Sequence, residues 1–342
     1  MGNVQIFHHK NNLELLLHSA GMENLVGRGD NVALKVHMGE KKCKTYLTPK
    51  TVKEVVDFVK DLGAKPFVVD SPTLYTFNRY TASGYRNIAK SHGFTESYLG
   101  AKVIIGGGED GEKSVETEIE KYFELNRIEV IPEIASADSM IVLTHVTGHI
   151  SIGYAGILKQ LGMGCVNKQM KRAVHEPTLP RLFIEDCQAC GTCISFCPFN
   201  QIEVEEKISI GNDCSGCGRC IGNCPNDVIH RKENFIQRFY MRLMDASKGV
   251  VNLFEDSGKP RIIYLNFLKK IYEFCDCSSY SGKKLMPDVG ILAASGYPLA
   301  IEKATVDLVR KKKSDLFPEV ESYIKIGRKI SLGDITYTFV RK

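Results

Sequence analysis

No apolar run in the 342-residue chain approaches the ~18 residues of a membrane span, and the N-terminal MGNVQIFHHKNN lacks the apolar core of a signal peptide. Neither a membrane association nor export is expected, which leaves the cytoplasm. Charge of one sign is equally scarce: 45 Lys and Arg against 40 Asp and Glu leave a formal net charge of +5. A nucleic-acid partner needs a concentrated basic patch. The one dense patch, RKKK at 310–313, falls on an expected C-terminal helix and reads as a solvated face, so no nucleic acid is expected. Also missing is a Gly-x-Gly-x-x-Gly opening a helix, which removes a built-in nicotinamide or flavin site. GGGEDG at 106–111 follows an expected strand, but Glu112 rather than Lys comes after it, so the phosphate-loop pattern fails. What remains is a composition of 43% hydrophobic and 25% charged residues. That is ordinary for a globular chain of two or three domains able to bury a core without disulfide staples.

Cysteine is abundant. There are 12, and eight of them lie between Cys187 and Cys224. In a long chain with no export signal, clustered thiols point to metal rather than to disulfides. Cys187-x2-Cys190-x2-Cys193-x3-Cys197-Pro198 is repeated as Cys214-x2-Cys217-x2-Cys220-x3-Cys224-Pro225 with a period of 27 residues. This is the bacterial ferredoxin run, in which three close thiolates hold one cluster and the fourth reaches the other. Cys187, Cys190, Cys193 and Cys224 are therefore assigned to one [4Fe-4S] cluster, and Cys214, Cys217, Cys220 and Cys197 to a second. Zinc could close a tetrahedral site on two Cys-x2-Cys pairs, but it explains neither the third Cys of each repeat nor the Cys-Pro endings. Gly191, Gly216 and Gly218 suit the tight turns that aim amides at cluster sulfurs. With every position held by Cys, such clusters carry electrons and do no bond chemistry.

The remainder reads as α/β. Residues 32–37 (VALKVH) have the pattern of a buried strand. Val52, Val55, Val56, Val59 and Leu62 share one face of a helix over 51–62, Gly63 stops it, and 66–70 (PFVVD) form the next strand. Further strands are expected at 103–105, 140–145, 262–267 and 289–293, with helices at 154–161 and 299–311. Strands alternating with helices on both sides of the cysteine repeat predict one mostly parallel sheet interrupted by an insertion. The expected organisation is a core of residues 1–178 and 235–342 with a 2[4Fe-4S] ferredoxin-like domain at 179–234. Two further features could carry chemistry. Cys275-Asp276-Cys277 places two thiols too close for an easy disulfide but able to chelate a soft metal or bracket a substrate; a structural role is the alternative. His145 and His149 stand just after a strand and before the glycine-rich stretch 153–164, where α/β sheets bind ligands, although such histidines also serve as core or surface residues.

These motifs occur in an order that resembles the domain of unknown function 362 family in its ferredoxin-bearing form. The resemblance rests on LKVHMGE (34–40), GAKPFVVDSPTLY (63–75), HGF (92–94), GHISIGYAGILKQLGMGC (148–165), both cysteine repeats, FCDC (274–277) and MPDVGILAA (286–294). It implies an α/β core with two [4Fe-4S] clusters, and His37, Glu40, Asp70, His149, Lys159, Cys275 and Cys277 converging on one cleft. Over about twenty residues, His149 and Lys159 in GHISIGYAGILK also resemble the histidine and cofactor-anchoring lysine region of nickel-dependent lactate racemases. That local likeness bears on fold and cleft position. The chain departs from its relatives at Thr147 and Ile150, where Lys and an acidic residue are frequent, and at Tyr297-Pro298, where Asp-Pro is frequent. An activity resting on those groups is not implied.

Two functional classes follow. In the first, the chain is an iron-sulfur oxidoreductase component: electrons pass from a redox partner protein through the two clusters to a site built from His37, His149, Lys159 and the Cys275-Asp276-Cys277 segment, with a small-molecule electron acceptor or an additional metal ion there. In the second, the chain is a non-catalytic electron carrier or a metal- or cluster-handling factor whose core is a binding domain.

Overall fold

A computed structural model describes residues 4–74, 77–149, 152–256 and 259–341. Tyr75 and Ile150, named above in the family comparison, lie outside the described residues. The architecture is α/β, organised on one eight-stranded sheet. Its strands, in chain order, are β1 (Val4–His9), β2 (Asn31–Val36), β3 (Lys65–Asp70), β4 (Lys102–Ile105), β5 (Ser139–His145), β6 (Ile262–Leu268), β7 (Gly290–Ser295) and β8 (Tyr337–Arg341). Their order across the sheet is β8-β1-β7-β6-β5-β2-β3-β4, and every neighbouring pair is parallel except those made by β7.

Local chemistry explains the elements that place the site. Strands β5 and β6 are buried at every position, the pattern of strands covered on both faces. The helix Pro49–Asp61 begins with Pro at its first position and with the Thr48 side chain accepting the Thr51 amide, and it buries Val52, Val55, Val56 and Val59 on one face. It ends at Gly63, whose φ of +79° only glycine adopts freely. One apolar core packs this helix and Ala82–Ser91 against one face of the sheet; a second packs Phe235–Asn252, Pro298–Arg310 and Val320–Lys329 against the other. Each fully buried valine contributes about 1.5–3 kcal/mol over exposure, which holds this helix against the sheet between β2 and β3.

Two elements differ from expectation. The helix expected from 154 begins at Ile157, because Gly153–Ala155 instead pairs as a strand with Thr147–His149. The helix entry lacks a capping side chain at Gly156; buried Glu302 accepts the Leu158 amide in its place. A Cβ on Gly156 would meet Glu302 Oε1 and the Tyr154 hydroxyl at 2.4 Å. Strands β1 and β8 had no counterpart in the periodicity.

Strands from both sides of the cysteine repeat join in the sheet, since β5 pairs in parallel with β6, Thr144 opposite Asn266. Between them the chain leaves the sheet and returns. Arg181–Leu182 pairs with Ile229–His230, which brings the two ends of the excursion together, and Ile202–Val204 pairs with Ile208–Ile210. Within it, Cys193, Ile202, Ile208, Cys220, Val228 and Ile229 form a small apolar cluster of their own. No helix among the described residues is long and apolar enough to cross a membrane.

Candidate functional site: a buried charged cleft and two cysteine groups

The carboxyl ends of β2, β3 and β5 open on a cavity of about 130 Å³, the position at which parallel α/β sheets present ligands. His37, Asp70 and His145 come to it directly from those strand ends, Lys159 from the helix Ile157–Gly162, and Cys275, Asp276 and Cys277 from the loop after β6. Lys35, Arg79, Lys171 and His175 complete its charged lining.

Several of these charges are paired through short contacts. Lys35 and Asp70 form a buried ion pair at 2.9 Å, and Tyr85 donates its hydroxyl to the same carboxylate. Burial alone would raise the Asp70 pKa, but Lys35 and His37 hold it below the usual range. Arg79, 1% exposed, donates Nε to Glu40 at 2.9 Å and lies 2.8 Å through NH1 from His37 Nε2. Burial and then this guanidinium push His37 down to about 3, so its imidazole is neutral. His145 behaves oppositely. Its Nδ1 faces Asp276 at 2.7 Å and its Nε2 faces the Lys269 carbonyl at 2.8 Å, two acceptors that require both ring protons. Burial lowers its pKa, but Asp276 outweighs that and the net shift is upward. Asp276 also accepts from the Thr45 hydroxyl at 2.8 Å.

His149, expected in the same cleft, lines instead an outer groove with Glu273 and Phe317. Lys159 Nζ stands 2.5 Å from its Nε2. Burial brings Lys159 down to about 7, with Arg79 acting in the same direction, and drives His149 well below its ordinary value. One donor atom each from His149, Cys275 and Cys277 falls within 4.8 Å of the other two.

One expectation is corrected. Cys275 and Cys277 are joined as a disulfide despite the single residue between them. The reason is the turn in which the Ser278 amide bonds to the Cys275 carbonyl at 2.9 Å; it sets the two Cα atoms 5.3 Å apart, a span that a disulfide bridges. In this form the pair offers no thiolate.

The eight cysteines of the repeat gather in two small apolar pockets. Cys187, Cys190, Cys193 and Cys224 line one; Cys197, Cys214, Cys217 and Cys220 line the other. Each therefore takes three residues from one half of the repeat and the fourth from the other half. The Gln201 amide points at Cys197 Sγ at 3.2 Å and the Val228 amide at Cys224 Sγ at 3.4 Å, equivalent contacts one repeat apart. Burial, followed by Cys214 and Cys217, pushes the Cys220 thiol up to about 11. Four soft donors, apolar walls and amides aimed at sulfur are what a cubane cluster requires, so the residues present fit that group.

The second group is seated against the cleft wall. A Cβ on Gly216, between Cys214 and Cys217, would lie 2.0 Å from Thr178 Oγ1. That hydroxyl is bonded to the carbonyl of His175, which lines the cleft. Tyr80 and Arg172 both reach Asp213, and Phe77 packs on Phe199.

Sequence reasoning passed over Lys35, Arg79, Lys171 and His175. Lys35 carried a signal, since a lysine inside the apolar run of β2 must be buried and needs a counter-charge. Lys171 and His175 share a face of the helix Lys168–His175 at a spacing of four residues, with Met170 and Val174 buried beside them. Arg79 sits in a loop without periodicity and left no mark.

The chain matches the family model described as Domain of unknown function (DUF362) over residues 32–307, and it belongs to that family. It is 27% identical over 158 residues to the Thylakoid-associated protein sll1697 of Synechocystis sp., a match that spans 45% of each chain, so less than half the length of that relative is covered. Among solved structures it is similar to the lactate racemase apoprotein from Thermoanaerobacterium thermosaccharolyticum, with 12% identity and a TM-score of 0.42 over 86% of this chain and 54% of that one.

Proposed function

We propose that this member of the family is an iron-sulfur electron-transfer protein, a component of an oxidoreductase whose two [4Fe-4S] clusters feed a site in the α/β core. The observation that carries the reading is the crossed grouping of the cysteines, three from one half of the repeat with the fourth from the other, in two separate apolar pockets. When bound, such clusters supply one-electron relay chemistry. The chain's own residues would hold them through eight thiolates and aim the Gln201 and Val228 amides at Cys197 and Cys224, which helps to set the potentials.

Direction follows from packing. Cys190 is exposed, whereas the loop carrying Cys214 and Cys217 rests on Thr178 beside the cleft. Electrons would enter from a redox partner protein at the Cys187 group and leave from the Cys214 group toward His175. The receiving site is the charged cleft, where the Lys159-His149 pair can hold or move a proton. Two electrons and two protons convert the Cys275-Cys277 disulfide to two thiols, and only then can His149, Cys275 and Cys277 ligate an additional borderline-soft metal ion. A thiol-reducing compartment such as the cytoplasm suits this chemistry.

Electron paramagnetic resonance of the anaerobically purified chain tests the reading. Reduction by dithionite should give two iron-sulfur signals that survive the Cys275→Ser, Cys277→Ser double substitution. A chain that takes up no electrons at the repeat overturns it.

A further inference from the structure

The cleft has more positive charge than its carboxylates balance. Of its four Lys and Arg side chains, Lys35 is paired with Asp70 and Arg79 with Glu40. Asp276 is engaged by His145 and Thr45. Among the described residues, Lys159 and Lys171 form no ion pair. Lys159 meets a histidine, and Lys171 is bonded to the Ser71 hydroxyl at 2.6 Å and to the carbonyls of Pro72 and Val166 at 2.8 and 2.9 Å. Two buried ammonium groups without a carboxylate are costly, and such a pair is retained where something else supplies the negative charge.

A second observation, independent of charge, marks the same space. Thr144 Oγ1 and His175 Nδ1 are buried, belong to residues lining the cleft, and have no hydrogen-bond partner. Thr144 is 1% and His175 8% exposed, so water at the surface does not satisfy them. Orphaned buried polar atoms call for an explanation, and here both belong to residues that line the cleft.

We propose that the cleft binds a small oxyanion, the carboxylate or phosphate group of a substrate, whose oxygens accept from Lys159 Nζ and Thr144 Oγ1, with Lys171 supplying positive charge behind them and His175 Nδ1 meeting the remainder of the molecule. The proposal rests on the electron-delivery reading in taking this cleft as the receiving site, and it deepens that reading by naming the substrate class. A cavity of about 130 Å³ admits only a small molecule or one polar end of a larger one, since drug-sized ligands occupy roughly 300–1,000 Å³. Burial brings Lys171 down to about 7 when the cleft holds no anion, and a bound oxyanion would restore its charged form.

Isothermal titration of the full chain, purified without oxygen, tests this with inorganic phosphate, with acetate, and with chloride at matched ionic strength. Saturable binding of one phosphate or one acetate per chain, absent with chloride, is expected; which of the two binds identifies the group. Lys159→Gln should weaken it by at least about tenfold, the size of one charge-assisted hydrogen bond. Thr144→Val, nearly equal in volume, should weaken it with the melting temperature unchanged. Saturation by neither probe, or binding undiminished in both variants, overturns the proposal. Iron measured on the same samples separates the two ideas: full iron without anion binding removes this inference alone, and anion binding without iron removes the electron-transfer reading alone.

Discussion

Replacing Arg79 by Met should cost a large fraction of the chain's stability, and replacing Glu40 as well should return much of it. Arg79 and Glu40 are 1% and 3% exposed and meet at 2.9 Å. Among the described residues, the Glu40 side chain would retain only the Lys41 amide at 2.8 Å and a long contact to Asn78 at 3.4 Å. Breaking a buried pair by removing one partner costs about 3–5 kcal/mol, because a charge is left without compensation. That is roughly a fifth or more of a typical total stability of 5–15 kcal/mol. In the Arg79→Met, Glu40→Gln double variant no uncompensated charge remains, so the two costs should fall short of additivity by about 2 kcal/mol or more. Anaerobic urea denaturation followed by far-ultraviolet circular dichroism measures all four forms of the cycle. The reasoning is refuted if Arg79→Met costs less than about 1 kcal/mol, or if the single effects add to within about 0.5 kcal/mol. The same Met variant should raise the His37 pKa, since the guanidinium at 2.8 Å is the second cause, after burial, of its depression to about 3.

Cys197→Ala should damage the cluster held by Cys214, Cys217 and Cys220 and spare the one held by Cys187, Cys190, Cys193 and Cys224; spectroscopic loss of the latter instead would refute the crossed grouping. Cys275→Ser with Cys277→Ser should abolish any metal beyond iron while leaving the iron content unchanged, as read by elemental analysis. Gly216→Ala, which forces a Cβ against Thr178 at a φ of +64°, should destabilise the second cluster selectively, and unchanged cluster loading would show that this contact is not tight.

Much of this arrangement could be read from residue patterns, and the failures have identifiable causes. Val52, Val55, Val56 and Val59 fixed the helix between β2 and β3 because one face is buried and the other wet, the condition under which periodicity speaks. The helix Phe235–Asn252 was passed over: from Leu243 to Val251 polar Asp245, Ser247 and Lys248 are buried together with the apolar residues, so its second half does not divide into a buried and a wet face. Strands β1 and β8 pair in parallel although they are far apart in sequence, a contact that no local pattern encodes. In the cleft, His37 and Asp70 followed from the strand ends that carry them. Arg79 did not, because a loop residue is brought to Glu40 and His37 only by the tertiary fold.

The central claim, that the paired repeats hold two iron-sulfur clusters, is tested most directly by counting iron and acid-labile sulfide in the chain purified without oxygen. About eight of each per chain are expected, four per cubane, with visible absorption that bleaches on reduction by dithionite. Stoichiometric zinc without sulfide would contradict it.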